Sequence, residues 1–133
     1  MGNRAVITTA PFSENNIGIY VHWNGGRASI EGFLKAAREL GYRDPAADPA
    51  YGLARLTQAI GAFFGGESSV GIGVVRDLDV DNGDNGTYVI GEGWEIVERV
   101  YADAQHDEID ADKTDRIATE IVAKVRASEQ VPA

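Results

Sequence analysis

The stretch from Ile17 to Arg27 constrains the fold of this chain more than any other. Residues 17–23 alternate apolar side chains with small or polar ones, which is the pattern of a strand with one buried face. Asn24-Gly25-Gly26 follows, residues that tolerate positive φ, and a helical pattern begins directly after them. We therefore expect polar and aromatic groups to collect where a strand ends beside a helix N-terminus, a place suited to anionic groups.

The remaining hydrophobic pattern indicates further strands and three helices. We predict strands over 4–9, 17–23, 70–75 continued by 77–81, 87–90 and 94–101. The connection between the first two strands is short, so these strands should be antiparallel. The order ββααβββα predicts an α+β protein, with an antiparallel sheet of about five strands packed on three helices.

Capping residues and glycines mark the ends of the predicted helices. The first helix takes Ser29 as its best cap and ends at Gly41. The second begins at Asp48-Pro49 and stops at Gly65-Gly66. The third covers about 112–126, with acidic residues near its start and basic residues near its end, as the helix dipole favours.

Length, charge and cysteine content limit the possible functions. The chain fits one domain, 1–133, with a frayed tail at 128–133. It has no apolar stretch near the roughly 20 residues that cross a bilayer and nothing like a signal peptide, so we expect a cytoplasmic protein with no membrane partner. The absence of Cys excludes disulfides and thiol nucleophiles. A net charge of −9 argues against nucleic-acid binding but permits a local basic pocket.

Two Asn-Gly pairs within 82–86 form the strongest turn signal in the chain. They predict a hairpin between a strand at 77–81 and a return strand at 87–90. Asn82 and Asn85 are residue types that favour turns, and their amide groups could also form hydrogen bonds with a sugar or a base.

Glycines two residues apart, Gly71 and Gly73, lie on one face of the predicted third strand. They leave that face without side chains. Either a neighbouring stretch of chain or a flat ligand can approach closely there.

Metal and catalytic chemistry have weaker signals. A calcium-loop register starting at Asp81 has no ligating side chain at its third position, Gly83. His106-Asp107-Glu108 has suitable residue types, but adjacent loop residues rarely converge on one ion. His22 could act as a general base, although a polar position in the sheet is the interpretation we favour. We predict no catalytic residue, no metal site and no cofactor.

Aromatic and arginine side chains near strand ends are candidates for holding a planar anion. Trp23 and Tyr88 are the candidate stacking residues, and Arg27, Arg55 and Arg99 are the candidate cations. Arg99 interrupts an apolar strand, so its guanidinium needs a partner if it is covered. For each residue alone, core packing or pairing with the abundant carboxylates is the alternative.

Three stretches of the chain, Ile19–Gly26, Tyr51–Leu56 and Asp81–Tyr88, resemble the first Thoeris anti-defence family, phage proteins that sequester a signal. The resemblance implies a homo-oligomer, a dimer or higher, in the cytoplasm of the infected bacterium. It also implies no catalysis: such proteins bind a cyclic ADP-ribose signal made by a bacterial TIR-domain enzyme and withhold it intact. Some members also hold cyclic oligonucleotides.

By this resemblance Arg55 and Arg99 would contact phosphates, and Asn85 would hydrogen-bond the ligand. The resemblance does not fix which aromatic side chains stack on it. With the candidates from residue chemistry, the predicted ligand site comprises Trp23, Arg27, Arg55, Asn82, Asn85, Tyr88 and Arg99.

Three functional hypotheses therefore follow. The leading one is a binding protein that sequesters a cyclic ADP-ribose-type signal. The second is an acidic protein-interaction module, such as an inhibitor that occupies a nucleic-acid-binding surface through its carboxylates. The third is a small nucleotide or phosphoester hydrolase that uses His22 or the cluster of Asp77, Asp79, Asp81 and Asp84.

Overall fold

The computed structural model describes residues 2–65, 69–102 and 108–129. Its elements are β1 (Ala5–Thr9), β2 (Ile17–Val21), α1 (Arg27–Glu39), α2 (Pro49–Phe64), β3 (Val70–Val74), β4 (Thr87–Ile90), β5 (Ile96–Val100) and α3 (Ala111–Glu129). Short 3-10 turns follow β3 and precede β5. The protein is α+β, and the predicted order ββααβββα is confirmed.

The five strands form one mixed sheet in the order β3-β2-β1-β4-β5. β2 pairs antiparallel with β1 and with β3, and β5 pairs antiparallel with β4. β1 and β4 run parallel, with Val6 opposite Thr87 and Thr9 opposite Ile90. The sheet is therefore mostly antiparallel, with one parallel pair near its middle.

The segment 75–86 crosses the sheet from β3 to β4. The predicted strand over 77–81 and its hairpin into 87–90 are wrong, because β3 and β4 are parallel and are separated by β2 and β1. A short 3-10 turn and an irregular run take the place of that strand. The Thr87 hydroxyl donates to the Val80 carbonyl and ties the crossing segment to the start of β4.

Side chains of this segment fill the space that glycines leave on the sheet. A Cβ atom at Gly18 would lie 2.9 Å from Leu78 Cδ1 and 3.2 Å from Val75 Cγ2. A Cβ atom at Gly73 would lie 3.5 Å from Leu78 Cδ2. The sequence allowed either a flat ligand or a stretch of the chain beside this glycine. At Gly73 the neighbour is the chain's own Leu78.

The three helices pack together on the sheet and share one hydrophobic core with it. The helical spacing of apolar residues in each helix, such as Phe33 and Ala37, Leu56 and Ile60, and Ile117 and Ile121, predicts these buried faces. The largest fully buried side chains of this core are Ile7, Ile19, Ile30, Phe33, Leu34, Leu53, Leu56, Ile60, Tyr88, Ile90 and Ile121.

Of the two capping residues predicted at helix starts, one is confirmed and one is wrong. α2 begins at Asp48-Pro49 as predicted, and Asp48 Oδ1 accepts a hydrogen bond from the Tyr51 N–H at 3.1 Å. The prediction that Ser29 caps α1 is wrong, because Gly26 is the N-cap residue. Ser29 is buried in the first turn, where its hydroxyl accepts a hydrogen bond from the Asn24 side chain.

The C-terminal helix α3 packs its predicted apolar face on α1, burying Ile117 and Ile121. Its last two residues, 128 and 129, fall within the tail predicted to fray, and 130–133 lie outside the described residues. No helix in the described chain is long and apolar enough to span a membrane.

A glycine permits the close crossing of α1 and α3. A Cβ atom at Gly32 would lie 2.8 Å from Ile117 Cβ, so we expect Gly32→Ala to lower the free energy of unfolding by about 1–3 kcal/mol despite its better helix propensity. Gly61 in α2 has nothing within 4 Å of such an atom, and Gly61→Ala should raise that free energy by up to about 1 kcal/mol. Urea denaturation measures both. Equal stability of the two variants would contradict the close-packing argument.

Candidate ligand site at the start of two helices

One end of the sheet brings several predicted site residues together. β1 and β4 begin at this end, while β2 and β5 finish there, because of the pairing directions described above. α1 starts here after the turn at 24–26, and α3 starts nearby. Arg27, Asn85, Tyr88 and Arg99 all lie at this end.

Tyr88 and Arg99 are bonded to the backbone of this region. Arg99 Nη2 donates to the Asn85 carbonyl at 2.8 Å, and its guanidinium carbon lies 3.9 Å from the centre of the Tyr88 ring. The fully buried Tyr88 donates its hydroxyl hydrogen to the Gly25 carbonyl at 2.7 Å. These contacts hold the turn before α1 and the loop before β4 in fixed positions. Tyr88 and Arg99 therefore position the backbone of the site and do not line its cavity.

Asn85 is buried and fixed from several directions. Its side-chain Nδ2 donates to Asn3 Oδ1 at 2.5 Å and to the Arg4 carbonyl at 3.0 Å. Its backbone N–H also donates to the Arg4 carbonyl. Asn85 thereby reaches the wall of a cavity at the helix starts with a defined orientation.

Asn82 organises the loop that carries Asn85. Its Oδ1 accepts hydrogen bonds from the N–H groups of Asp84, Asn85 and Gly86, at 3.0–3.1 Å. Its Nδ2 donates to the carbonyls of Asp79 and Gly86. Both ends of this amide are engaged inside the loop, which is the geometry of a turn former.

The cavity lies between the first turns of α1 and α3 and has a volume of about 250 Å³. Its lining residues are Gly26, Arg27, Ala28, Ser29, Asn85, Glu108, Asp110 and Lys113. The N-cap residue of α1 is Gly26, which has no side chain to cap the helix. The electropositive start of α1 therefore faces the cavity. The cavity therefore combines two cationic side chains, a helix N-terminus and two carboxylates.

Arg55 lies in a second cavity, beyond the other end of α1. This cavity, of about 260 Å³, is lined by Leu40, Gly41, Tyr42, Arg43, Tyr51 and Arg55. The 13 residues of α1 span about 20 Å, so one protomer does not bring Arg55 to Asn85 and Arg27.

Two guanidinium groups flank one aromatic ring in this second cavity. The guanidinium carbons of Arg43 and Arg55 lie 4.6 and 5.1 Å from the centre of the half-exposed Tyr51 ring. Arg55 Nη2 donates to the Tyr51 hydroxyl at 2.7 Å, and this hydrogen bond, with the charge of Arg55, lowers the pKa of the Tyr51 phenol.

Trp23 and His22 lie at the same end of the sheet as the first cavity but do not line it. Trp23 is 48% exposed and meets the His22 ring edge to face, with ring centres 5.0 Å apart. His22 Nδ1 and the Tyr20 hydroxyl share a hydrogen bond of 2.8 Å. His22 thus occupies a polar position at the end of β2.

Sequence reasoning missed Arg43 and Lys113. Arg43 is in a loop, and its approach to Tyr51 comes from the fold of the loop between α1 and α2. Lys113 lies in the first turn of a helix that reaches the cavity by packing on α1. No local signal in the sequence distinguishes either residue from other surface cations.

In the described residues, no three His, Asp or Glu side chains converge so as to hold a metal ion. His106 and Asp107 lie outside the described residues. Asp79 and Asp84 of the loop before β4 pair with Arg4, at 3.5 and 2.8 Å.

Comparison with known proteins gave no match to a family model, to a curated protein or to a solved structure.

The pKa of Tyr51 provides a direct test of the second cavity. Arg55→Gln removes the cation that stabilises the phenolate, so we expect the pKa of Tyr51 to rise toward its ordinary value of 10.0. NMR titration of the tyrosine ring carbons measures this. Arg126→Gln, at the far end of α3, should leave the Tyr51 titration unchanged. The same Tyr51 pKa in Arg55→Gln and in the parent protein would contradict the geometry.

Proposed function

We propose that this protein is a cytoplasmic homo-oligomer that binds a cyclic ADP-ribose-type nucleotide signal and withholds it intact, and so blocks TIR-based anti-phage immunity. The observation that carries the proposal is the first cavity, where Arg27, Lys113 and Asn85 surround the start of α1. The proposal also rests on the resemblance to the Thoeris anti-defence family.

The chemistry of the first cavity suits a phosphate with sugar groups attached. A helix N-terminus with Arg27 and Lys113 beside it attracts a phosphate. The Asn85 side-chain oxygen and the carboxylates of Glu108 and Asp110 can accept hydrogen bonds from ribose hydroxyls or from an adenine amino group. The same carboxylates, in a chain of net charge −9, disfavour long polyanions such as nucleic acids.

The size of the cavity supports a site completed by a second protomer. Pockets for ligands of this size usually measure roughly 300–1,000 Å³, and the first cavity measures about 250 Å³. Arg55 and Tyr51 form a separate cationic and aromatic group beyond the far end of α1. In the proposed oligomer, Arg55 of one protomer completes the first cavity of its neighbour, which reconciles the expected role of Arg55 with its distance from Asn85.

Ligand retention tests the proposed activity. The purified protein is incubated with the cyclic product of a TIR-domain enzyme, freed of unbound ligand and heated, and the released ligand is identified by mass spectrometry. We expect the unmodified signal. A cleaved product would instead support the hydrolase, and no retained ligand would favour the acidic interaction module.

Charge-neutral variants test the site assignment. Arg27→Gln and Lys113→Gln should each weaken ligand binding about tenfold or more, since each removes a charge-assisted hydrogen bond. Arg55→Gln should have a similar effect if the site spans two protomers. Isothermal titration calorimetry measures the affinities, and Arg126→Gln is the matched control with the same loss of charge. Unchanged affinity in all three site variants would refute this assignment.

A further inference from the structure

The edge strand β3 presents apolar side chains to solvent, together with backbone groups that no other described strand pairs. Ile72 is 58% exposed, and Val74 and its cross-strand neighbour Ile17 are each 38% exposed. Only β2 pairs with β3 in the described chain. An uncharged open edge of this kind favours addition of another strand.

The hydrogen-bond pattern shows which residues of β3 offer backbone groups to a partner. The His22 N–H donates to the Ser69 carbonyl, and the Val75 N–H donates to the Asn16 carbonyl. In an antiparallel ladder, residues alternate between bonding inward and bonding outward. The odd-numbered residues of 69–75 therefore bond to β2, and the N–H and C=O groups of Val70, Ile72 and Val74 point out of the sheet.

The sequence of β3 reads the same in both directions. Val70-Gly71-Ile72-Gly73-Val74 is symmetric about Ile72, the residue whose backbone groups point outward at the centre of the strand. A two-fold axis at Ile72 places Val70 opposite the partner's Val74, and Ile72 opposite the partner's Ile72. Each of these pairs then exchanges two N–H···O bonds, so every outward group of β3 is satisfied.

We infer that β3 is a homodimer interface, in which two copies of this chain pair antiparallel about Ile72 and join their sheets into one. A second copy fits this edge because an isologous contact requires a self-complementary surface, which a symmetric strand provides. The pairing also extends a row of apolar side chains that runs across the sheet, because Ile72 lies beside the core residue Ile19. The partner's Ile72 would cover the exposed side of this row.

Charge favours this edge over the opposite one. The segment 69–75 has no charged residue in a chain of net charge −9, so two copies can approach here with the least repulsion between their surfaces. The other edge strand, β5, contains Glu98 and Arg99, and charges on an edge oppose strand pairing.

The interface is small, so the dimer is concentration-dependent. A five-residue edge with a few apolar side chains buries less than the roughly 1,200–2,000 Å² of a standard stable interface. We expect dissociation in the micromolar range or weaker, which is a detectable equilibrium. This inference supplies an interface for the homo-oligomer of the proposed function, and its argument does not depend on any ligand.

Sedimentation equilibrium of the full chain without ligand, from low micromolar to millimolar protein, tests the inference. The parent protein should shift from the 14.2 kDa monomer toward twice that mass. Ile72→Lys places two cations face to face, and Ile72→Pro removes an outward N–H that the monomer does not use, so both should raise the dissociation constant about tenfold or more. Circular dichroism checks that each variant is folded.

Val97→Lys on β5 is the matched control, because Val97 is also 58% exposed on an edge strand. We expect this variant to dimerise like the parent protein. A parent protein that is monomeric over the whole range would overturn the inference. So would an Ile72→Pro variant that dimerises normally, or a Val97→Lys variant that dissociates as Ile72→Lys does. Because no ligand is present, these outcomes test the β3 interface alone, and retention of the signal is tested by the separate mass-spectrometry experiment.

Discussion

The parallel pairing of β1 with β4 determines both the path of segment 75–86 and the position of the first cavity. Because β4 enters beside β1 in the same direction, the chain must cross the sheet between β3 and β4 instead of turning back on itself. The crossing segment packs Leu78 over Gly18 and thereby covers the second face of the sheet there. The same pairing puts the start of β4 next to the start of α1, where the first cavity lies.

That cavity owes its shape to side chains that do not themselves line it. Asn82 folds the loop before β4, and Arg99 stacked on Tyr88 links that loop to the turn before α1. A ligand would meet Asn85 and the start of α1, whose backbone positions these contacts hold. Rigid support of this kind is what tight binding of a small anion requires, because little conformational entropy is then lost on binding.

Our two proposals each assign one surface of the protein to contact with a second copy. The cavities at opposite ends of α1 divide the expected ligand-binding residues between them, so that one protomer offers Arg27 and Asn85 in one place and Arg55 in another. The edge of β3 leaves outward backbone groups and Ile72 in solvent. For a protein proposed to hold a signal stoichiometrically, association of protomers and formation of the ligand site would then be coupled.

The sequence by itself determined the local elements, because periodicity and capping are local properties: the helix start at Asp48-Pro49, the apolar stripes of the helices and the order ββααβββα could all be read from it. Tertiary structure decided what depends on contacts between distant residues. The Asn-Gly pairs at 82–86 predict a turn correctly, but only strand pairing decides that this turn ends a crossing segment and not a hairpin. Arg55 contacts Tyr51, which lies four residues earlier in the same helix, whereas Arg99 meets the buried Tyr88 only because β4 and β5 pair. The physical reason is that neighbours within a helix follow from local periodicity, whereas the partners of a strand residue lie on another strand and depend on how the strands pair.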